Sequence, residues 1–194
     1  YNDSKEIVPP DAPEPLGNRV TLSSYFDANL MHDVLSGKAV TGILHFLNSF
    51  PLESYSKKQL TVETATYGAE FVSGRTCFEQ IIDLRNYLRY LGARLREKTY
   101  VFGDNETMIN SSKFPFSQLK KRHHILTYHF VRSIIATRII NLHHCPSGAN
   151  ASDILSKNYA HGKCYRNIIK PLFFCEGDTS QCIDEWDIGI DQGE

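Results

Sequence analysis

The stretch Gly68-Ala-Glu-Phe-Val-Ser-Gly-Arg-Thr-Cys-Phe-Glu-Gln-Ile-Ile-Asp-Leu-Arg-Asn-Tyr-Leu-Arg-Tyr-Leu-Gly92 decides how the chain is read. Within it Gly74, Cys77, Ile81, Leu84, Leu88 and Leu91 recur at spacings of 3, 4, 3, 4 and 3, which is one face of an α-helix. The pattern predicts a long helix over Val62–Leu91, ended by Gly92 as a C-cap. Four residues before Gly74, and on the same face, stands Glu70. A carboxylate on the packed side of a helix is costly to bury unless something pairs with it.

Outward from that helix the pattern changes period. Upstream, Arg19–Asp27, Ala39–Leu47 and Leu52–Ser56 read as three closely spaced strands, the last two separated by the turn Asn48-Ser-Phe-Pro51. Strands this close suggest an antiparallel meander. Downstream, the strand Thr99–Gly103 leads into Asp104 and a short helix over Asn105–Asn110. A second long helix is expected over Leu119–Thr137, a strand over Arg138–His144, a loop over Cys145–Asn150, and short helices beyond. Helices and strands alternate from the long helix onward, as in α/β sheets.

Four acids fall at boundaries in this pattern. Asp27 closes a strand, Glu70 lies near the start of the long helix, Asp104 follows a strand, and Asp153 opens the segment Asp153-Ile-Leu-Ser-Lys157. If the fold gathers them, they form a carboxylate cluster that calls for divalent cations, and hard oxygen ligands favour magnesium or manganese. Acids at such places are often only caps or turn residues, and that reading stands open for Asp104 and Asp153. The histidine pairs His123-His124 and His143-His144 raise a zinc site. Adjacent residues on a strand point to opposite faces, so His143 and His144 do not easily share a metal.

The chain has 194 residues, 41% hydrophobic and 22% charged, which suits one globular domain with tails. Residues 1–18, with Pro9, Pro10, Pro13 and Pro15, read as an extended linker. Residues 19–175 form the expected domain. Residues 176–194 carry seven acids and no base, and read as a disordered or loosely packed tail. With the termini set aside, residues 16–175 hold 11 acids against 20 bases, a sign suited to a phosphate-rich partner. The run Lys113–Arg138 contains six bases and no acid, and part of it is expected to contact phosphates. Five widely spaced cysteines without a CxxC pair speak against a disulfide framework or zinc ribbon. No apolar run reaches the roughly 18 residues of a membrane span. The start at Tyr1 and the lack of a signal peptide suggest a piece of a longer polypeptide.

Four segments, in this order, carry a resemblance: Gln59-Leu-Thr-Val-Glu-Thr-Ala-Thr-Tyr-Gly-Ala-Glu-Phe71, Gly103-Asp-Asn105, Lys121-Arg-His-His-Ile-Leu-Thr-Tyr-His-Phe130 and Asn150-Ala-Ser-Asp-Ile-Leu-Ser-Lys157. Over about residues 19–175 the chain resembles the ribonuclease H domain of copia-type retrotransposon polyproteins. The resemblance implies an α/β fold of ribonuclease H type, a five-stranded mixed sheet flanked by helices. It implies a metal-binding, catalytic quartet on Asp27, Glu70, Asp104 and Asp153. The chain departs from the family pattern at Gly68, where relatives carry an earlier glutamate. It departs again at Gly103, where they usually have cysteine or a similar residue, and at Ala151-Ser152, where they typically have proline and alanine. No quartet member is lost.

What the resemblance implies about function is hydrolysis of the RNA strand of an RNA–DNA hybrid by two Mg2+ (or Mn2+) ions about 3.5–4 Å apart. Asp27 would bridge both ions, Glu70 and Asp104 would complete one site, and Asp153 the other. Asn105, Lys120, Lys121 and Arg122 are the candidate nucleic-acid contacts. The implied partners are the hybrid and the adjacent reverse transcriptase domain of the same polyprotein, with no membrane. The implied location is cytoplasmic, within a virus-like particle, or nuclear, and not secreted. Two other readings stay beside this one: an inactive or co-opted nucleic-acid-binding remnant, and another nuclease or integrase of the same fold. The order Asp, Glu, Asp, Asp argues against an integrase, whose site ends in a late glutamate.

Overall fold

The computed structural model describes residues 10–96, 98–114 and 125–157. Within them the main sheet has five strands: β2 (Leu22–Asp33), β3 (Lys38–Leu47), β4 (Phe50–Lys58), β6 (Thr99–Gly103) and β7 (Ile140–His144). Their order is β4-β3-β2-β6-β7. β2 and β4 pair antiparallel with β3, the expected meander, while β6 pairs parallel with β2 and β7 parallel with β6. This is a mixed α/β sheet, with three strands from hairpins and two added by crossovers.

The expected strand Arg19–Asp27 resolves into two elements. β1 (Leu16–Val20) pairs parallel with β5 (Ala93–Leu95) in a separate two-stranded ribbon, and β2 then runs on to Asp33. Asp27 therefore sits inside a strand and does not close one. The alternation of Leu22, Ser24, Phe26 and Ala28 as buried residues on one face carries β2 through this point. The turn after β3 is confined to Asn48 and Ser49, with Asn48 at φ 56°, and Phe50 and Pro51 already belong to β4.

The long helix, α1, spans Thr66–Tyr90. It stops at Leu91, followed by Gly92 at φ 75°, the left-handed position that glycine enters without steric cost. Gly74, Cys77, Ile81 and Leu88 of the predicted stripe are buried, whereas Leu91 is 82% exposed because it lies past the helix end. Arg85 is buried as well, donating to Thr99 Oγ1 (2.9 Å) and toward the Arg96 carbonyl.

α1 lies on one face of the sheet with α2 (Glu106–Lys113) and α3 (Ile125–Ala136). Phe26, Ile43, Phe71, Phe78, Ile81, Val101, Met108, Val131 and Leu142 fill the core between them. A short helix, α4 (Asp153–Ser156), covers the other face over a smaller cluster of Leu44, Phe46 and Ala151. Gly42 admits α4: a Cβ there would lie 2.8 Å from the Ser152 carbonyl oxygen and 3.0 Å from the Ser156 nitrogen. Gly103, the departure before Asp104, is filled by the Phe26 ring, which would meet a Cβ at 2.6 Å. No helix among the described residues is long and apolar enough to cross a membrane.

Candidate metal centre

The parallel pairing of β2 and β6 ends at Tyr25 opposite Phe102. Two residues further along each chain segment come Asp27, on β2, and Asp104, just past the end of β6, so register alone sets them side by side where the two strands diverge. That place, at the carboxyl ends of parallel strands where the sheet changes direction, is where open α/β sheets place their ligands. β2 continues there only against β3, pairing Asp27 with Gly42.

Asp153 arrives on α4. Asn150, fully buried, donates from Nδ2 to the Phe26 carbonyl (3.0 Å) and accepts from the Ser152 amide and hydroxyl (3.2 and 2.7 Å). Asn29 Nδ2 donates to the Ser156 carbonyl at 3.1 Å, and Ser56 Oγ to the Leu155 carbonyl at 2.6 Å. The Ser156 hydroxyl donates to Asp27 itself. One carboxylate oxygen from each of Asp27, Asp104 and Asp153 then lies within 4.8 Å of the others. Asp27 and Asp153 are each 1% exposed.

Glu70 lies on the second turn of α1, lining the same cleft as Asp27, Asp104 and Asn105, but outside that 4.8 Å group. It is 1% exposed, and its Oε2 has no hydrogen-bond partner. Burial, with the charges of Asp27 and Asp104 adding to it, pushes the Glu70 carboxyl well above its ordinary range, against a backbone hydrogen bond from Ala28. Asp27 is raised too, chiefly by burial, although the Ser156 hydroxyl and the Lys157 ammonium pull the other way. A buried, unpartnered carboxylate oxygen beside three converging carboxylates is a donor set for a hard cation.

The capping reading of Asp104 does not hold. The cap of α2 is Asn105, whose Oδ1 accepts from the Met108 amide at 2.9 Å. Asn105 also lines the cleft, with its amide Nδ2 not used by the cap. Asp153 is the first residue of α4, and Ser152 precedes it as the cap position. Lys120, Lys121 and Arg122, with His123 and His124, lie outside the described residues. The zinc reading fails for the second pair: His143 stacks near Tyr100 and Phe102, while His144 faces the Asp104 carbonyl through Nε2 at 3.2 Å.

Sequence reasoning assigned no role to Lys157. Its Nζ lies 2.9 Å from Asp153 Oδ1, 3.4 Å from Asp27 Oδ1 and 3.7 Å from Asp104 Oδ2. Burial lowers the affinity of this amine for its proton, but the Asp153 hydrogen bond and the charges of Asp27, Asp153 and Asp104 outweigh it, and the net shift is upward. The signal was its spacing: a lysine four residues after an acid on a helix shares that acid's face.

No family model matches the chain. The sequence is similar to Pol polyproteins of plant transposons. It is 27% identical over 142 residues to the retrovirus-related Pol polyprotein of transposon TNT 1-94 from Nicotiana tabacum, and 25% identical over 141 residues to that of transposon RE2 from Arabidopsis thaliana. Each match covers 73% of this chain and 10% of the relative, so the chain spans about a tenth of the length of these proteins. The N-terminal ribonuclease H domain of a Mycobacterium tuberculosis protein superposes with a TM-score of 0.55 at 14% identity, over 71% of this chain and 91% of that one. LC11 ribonuclease H1, solved with an RNA/DNA hybrid, gives 0.54 at 18% identity, over 78% and 99%. The fold is that of ribonuclease H, and the resemblance to the ribonuclease H region of retrotransposon polyproteins stands on both sequence and structure.

Proposed function

For this ribonuclease H domain of retrotransposon-polyprotein type, we propose hydrolysis of the RNA strand of an RNA–DNA hybrid. The observation that carries the proposal is the convergence of one carboxylate oxygen each from Asp27, Asp104 and Asp153, from three separate stretches of the chain, to within 4.8 Å beside the unpartnered carboxylate oxygen of Glu70. Those four residues would hold divalent cations, magnesium or manganese, in an all-oxygen site. Bound there, the cations supply charge neutralisation at the scissile phosphate and a more acidic attacking water.

The chain's own groups do the rest. Asp27 is fixed by the Ser156 hydroxyl on its side chain and by Ser73 Oγ, which donates to its carbonyl at 2.9 Å. That rigidity is what electrostatic catalysis requires, because preorganised groups need not rearrange as charge develops. Asn105, with Oδ1 committed to its cap, offers its amide N–H groups to an acceptor in the cleft. A ribose 2′-hydroxyl is the acceptor that distinguishes RNA from DNA. Lys120, Lys121 and Arg122 would bind backbone phosphates, and the adjacent reverse transcriptase domain would share the hybrid. Working location follows the polyprotein: cytoplasmic particle or nucleus.

The test is cleavage of an end-labelled RNA–DNA hybrid in magnesium by the purified chain and by its Asp27→Asn and Asp104→Asn variants. We expect cutting of the RNA strand alone, lost in both variants. Folded protein that binds hybrid without cutting it would instead be a non-catalytic remnant, and cutting of duplex DNA would point to another nuclease of this fold.

A further inference from the structure

The carboxylate cleft already contains a cation of its own. The Lys157 ammonium lies within 3.7 Å of oxygens from Asp27, Asp104 and Asp153, the same three residues whose oxygens lie within 4.8 Å of one another. It is held there by covalent geometry. Lys157 follows the last turn of α4, its backbone amide bonds to the Asp153 carbonyl at 2.9 Å, and its side chain returns over the same helix face to Asp153. α4 is in turn tied to β2 and β4 by the Asn150, Asn29 and Ser56 hydrogen bonds. The ammonium is therefore a positioned group and not a surface charge that drifts past: its side chain is 30% exposed, and two of its three partners are almost fully buried.

Charge explains why a lysine is useful at this place. Four buried or half-buried carboxylates repel one another and lose hydration, and such a cluster is stable only with compensating positive charge nearby. One ammonium offsets part of that charge. It also fills the point where oxygens from three elements face inward, which is where a metal ion sharing those ligands has to sit. An ammonium and a divalent ion cannot occupy that point together.

Resting on the metal-site reading above, we propose that Lys157 is a resident cation: it keeps the carboxylates assembled before metal arrives and must swing out as metal binds. Loading is then an exchange of one cation for another. The fold leaves room for the swing. Lys157 stands on the wall between the carboxylate cleft and a neighbouring groove lined by His32, Ser56, Lys57 and Lys58. An ammonium that leaves the cleft enters that groove, where it joins Lys57. Lys157 is in these terms a positioning residue, since nothing requires it to touch the reacting atoms.

The exchange is tested without reference to activity. Manganese binding to the full chain is measured by calorimetry for the parent, Lys157→Met and Lys157→Arg. Removing the charge while keeping the alkyl chain should tighten manganese binding roughly tenfold, the scale of losing one close, partly screened charge competitor, and lower the melting temperature of the metal-free protein. Lys157→Arg, which keeps the charge, should bind manganese no more tightly than the parent. Independently, in the unmodified protein, acetylation of Lys157 read by mass spectrometry should accelerate when manganese is added, with Lys57 as the internal reference; this arm decides the matter if Lys157→Met fails to fold. Equal or weaker manganese binding by Lys157→Met, or unchanged acetylation with manganese bound, overturns the exchange alone. No manganese binding by any of the three proteins overturns the metal-site reading and the exchange with it.

Discussion

On the face of the sheet covered by α1, α2 and α3, contact is almost wholly apolar: Phe26, Phe71, Phe78, Ile81 and Met108 interlock at or near zero exposure. On the other face, α4 spans only Asp153–Ser156 and rests on a small cluster of Leu44, Phe46 and Ala151. What holds α4 is a set of directed hydrogen bonds, from Asn150 to the Phe26 carbonyl, Asn29 to the Ser156 carbonyl and Ser56 to the Leu155 carbonyl. Apolar burial is non-directional and scales with area, whereas hydrogen bonds fix distance and angle but add about 1 kcal/mol each. The first face supplies stability, and the second supplies the placement of Asp153 and Lys157. Substitutions on the two faces should therefore separate global stability from assembly of the site.

The largest stability effect belongs to the apolar face. Phe78 is fully buried, with its ring edge-on to Phe26 at a centroid distance of 6.4 Å. Phe78→Ala removes most of a ring from a packed core and should cost about 3–5 kcal/mol in urea unfolding. Gly42→Ala should behave differently. The new Cβ meets backbone atoms of Ser152 and Ser156 at 2.8 and 3.0 Å, and backbone cannot turn aside as a side chain can. α4 has to lift from the sheet, carrying Asp153 and Lys157 away from Asp27. We expect a stability loss of about 1–3 kcal/mol, the usual cost of overpacking, with a fall in hybrid cleavage of about a hundredfold, the scale of a 1 Å misplacement at a reacting centre. A Gly42→Ala protein with unchanged cleavage would mean that α4 is not what positions the site.

Glu70 belongs to both regions, rooted in α1 and lining the cleft. Its carboxyl is raised by burial first and by Asp27 and Asp104 next, so the ionised form destabilises the metal-free fold. The folded chain holds that proton more tightly than the unfolded chain. This contribution to stability is complete below the ordinary glutamate value of 4.5 and is lost as pH rises through the elevated folded value. Glu70→Gln keeps the shape and removes the charge. At neutral pH it should raise the stability of the metal-free protein by about 1 kcal/mol, within the ordinary range for single substitutions. The stabilisation that added magnesium gives the parent should shrink in the variant. A metal-free protein that is less stable as Glu70→Gln would mean that the ionised carboxylate is already compensated.

These effects bear on what the sequence could reveal. The α1 stripe and the β2–β4 meander were legible because period alone marks a buried face, and Glu70 was placed correctly by counting back four residues from Gly74. Asp27 and Asp104 were legible as candidates, but their adjacency depends on the parallel register of Tyr25 with Phe102, which no local pattern encodes. The β1–β5 ribbon was missed for the same reason: its strands lie more than 70 residues apart and are 5 and 3 residues long. Gly103 stands in the sequence only as a departure from the family pattern. In the fold its missing side chain is replaced by the Phe26 ring from the neighbouring strand, a compensation visible only across β2 and β6. Lys157 is only partly legible in the sequence, because its spacing to Asp153 gives one partner and the fold gives three.

The smallest predicted effect tests a polar connection inside the apolar face, one that joins α1 to the sheet as the Arg85–Thr99 bond does. His45 on β3 is fully buried, its Nδ1 2.7 Å from Ser24 Oγ and its Nε2 3.1 Å from Gln80 Oε1 on α1. Burial holds this imidazole below its ordinary value of 6.5, more strongly than the Gln80 hydrogen bond raises it. The unfolded chain thus takes up a proton near pH 6.5 that the folded chain refuses, and stability must fall as the pH drops below that value. One proton limits the slope to about 1.4 kcal/mol per pH unit. The raised carboxyls of Asp27 and Glu70 work in the opposite direction over the acidic range, so the parent's own pH profile mixes both signs. The difference between the parent and His45→Gln isolates the histidine: the variant should lose less stability between pH 7.5 and 5.5 in parallel urea titrations. Parallel profiles for the two proteins would mean that His45 accepts its proton without leaving the core, and that the apolar face is more permissive of charge than its packing implies.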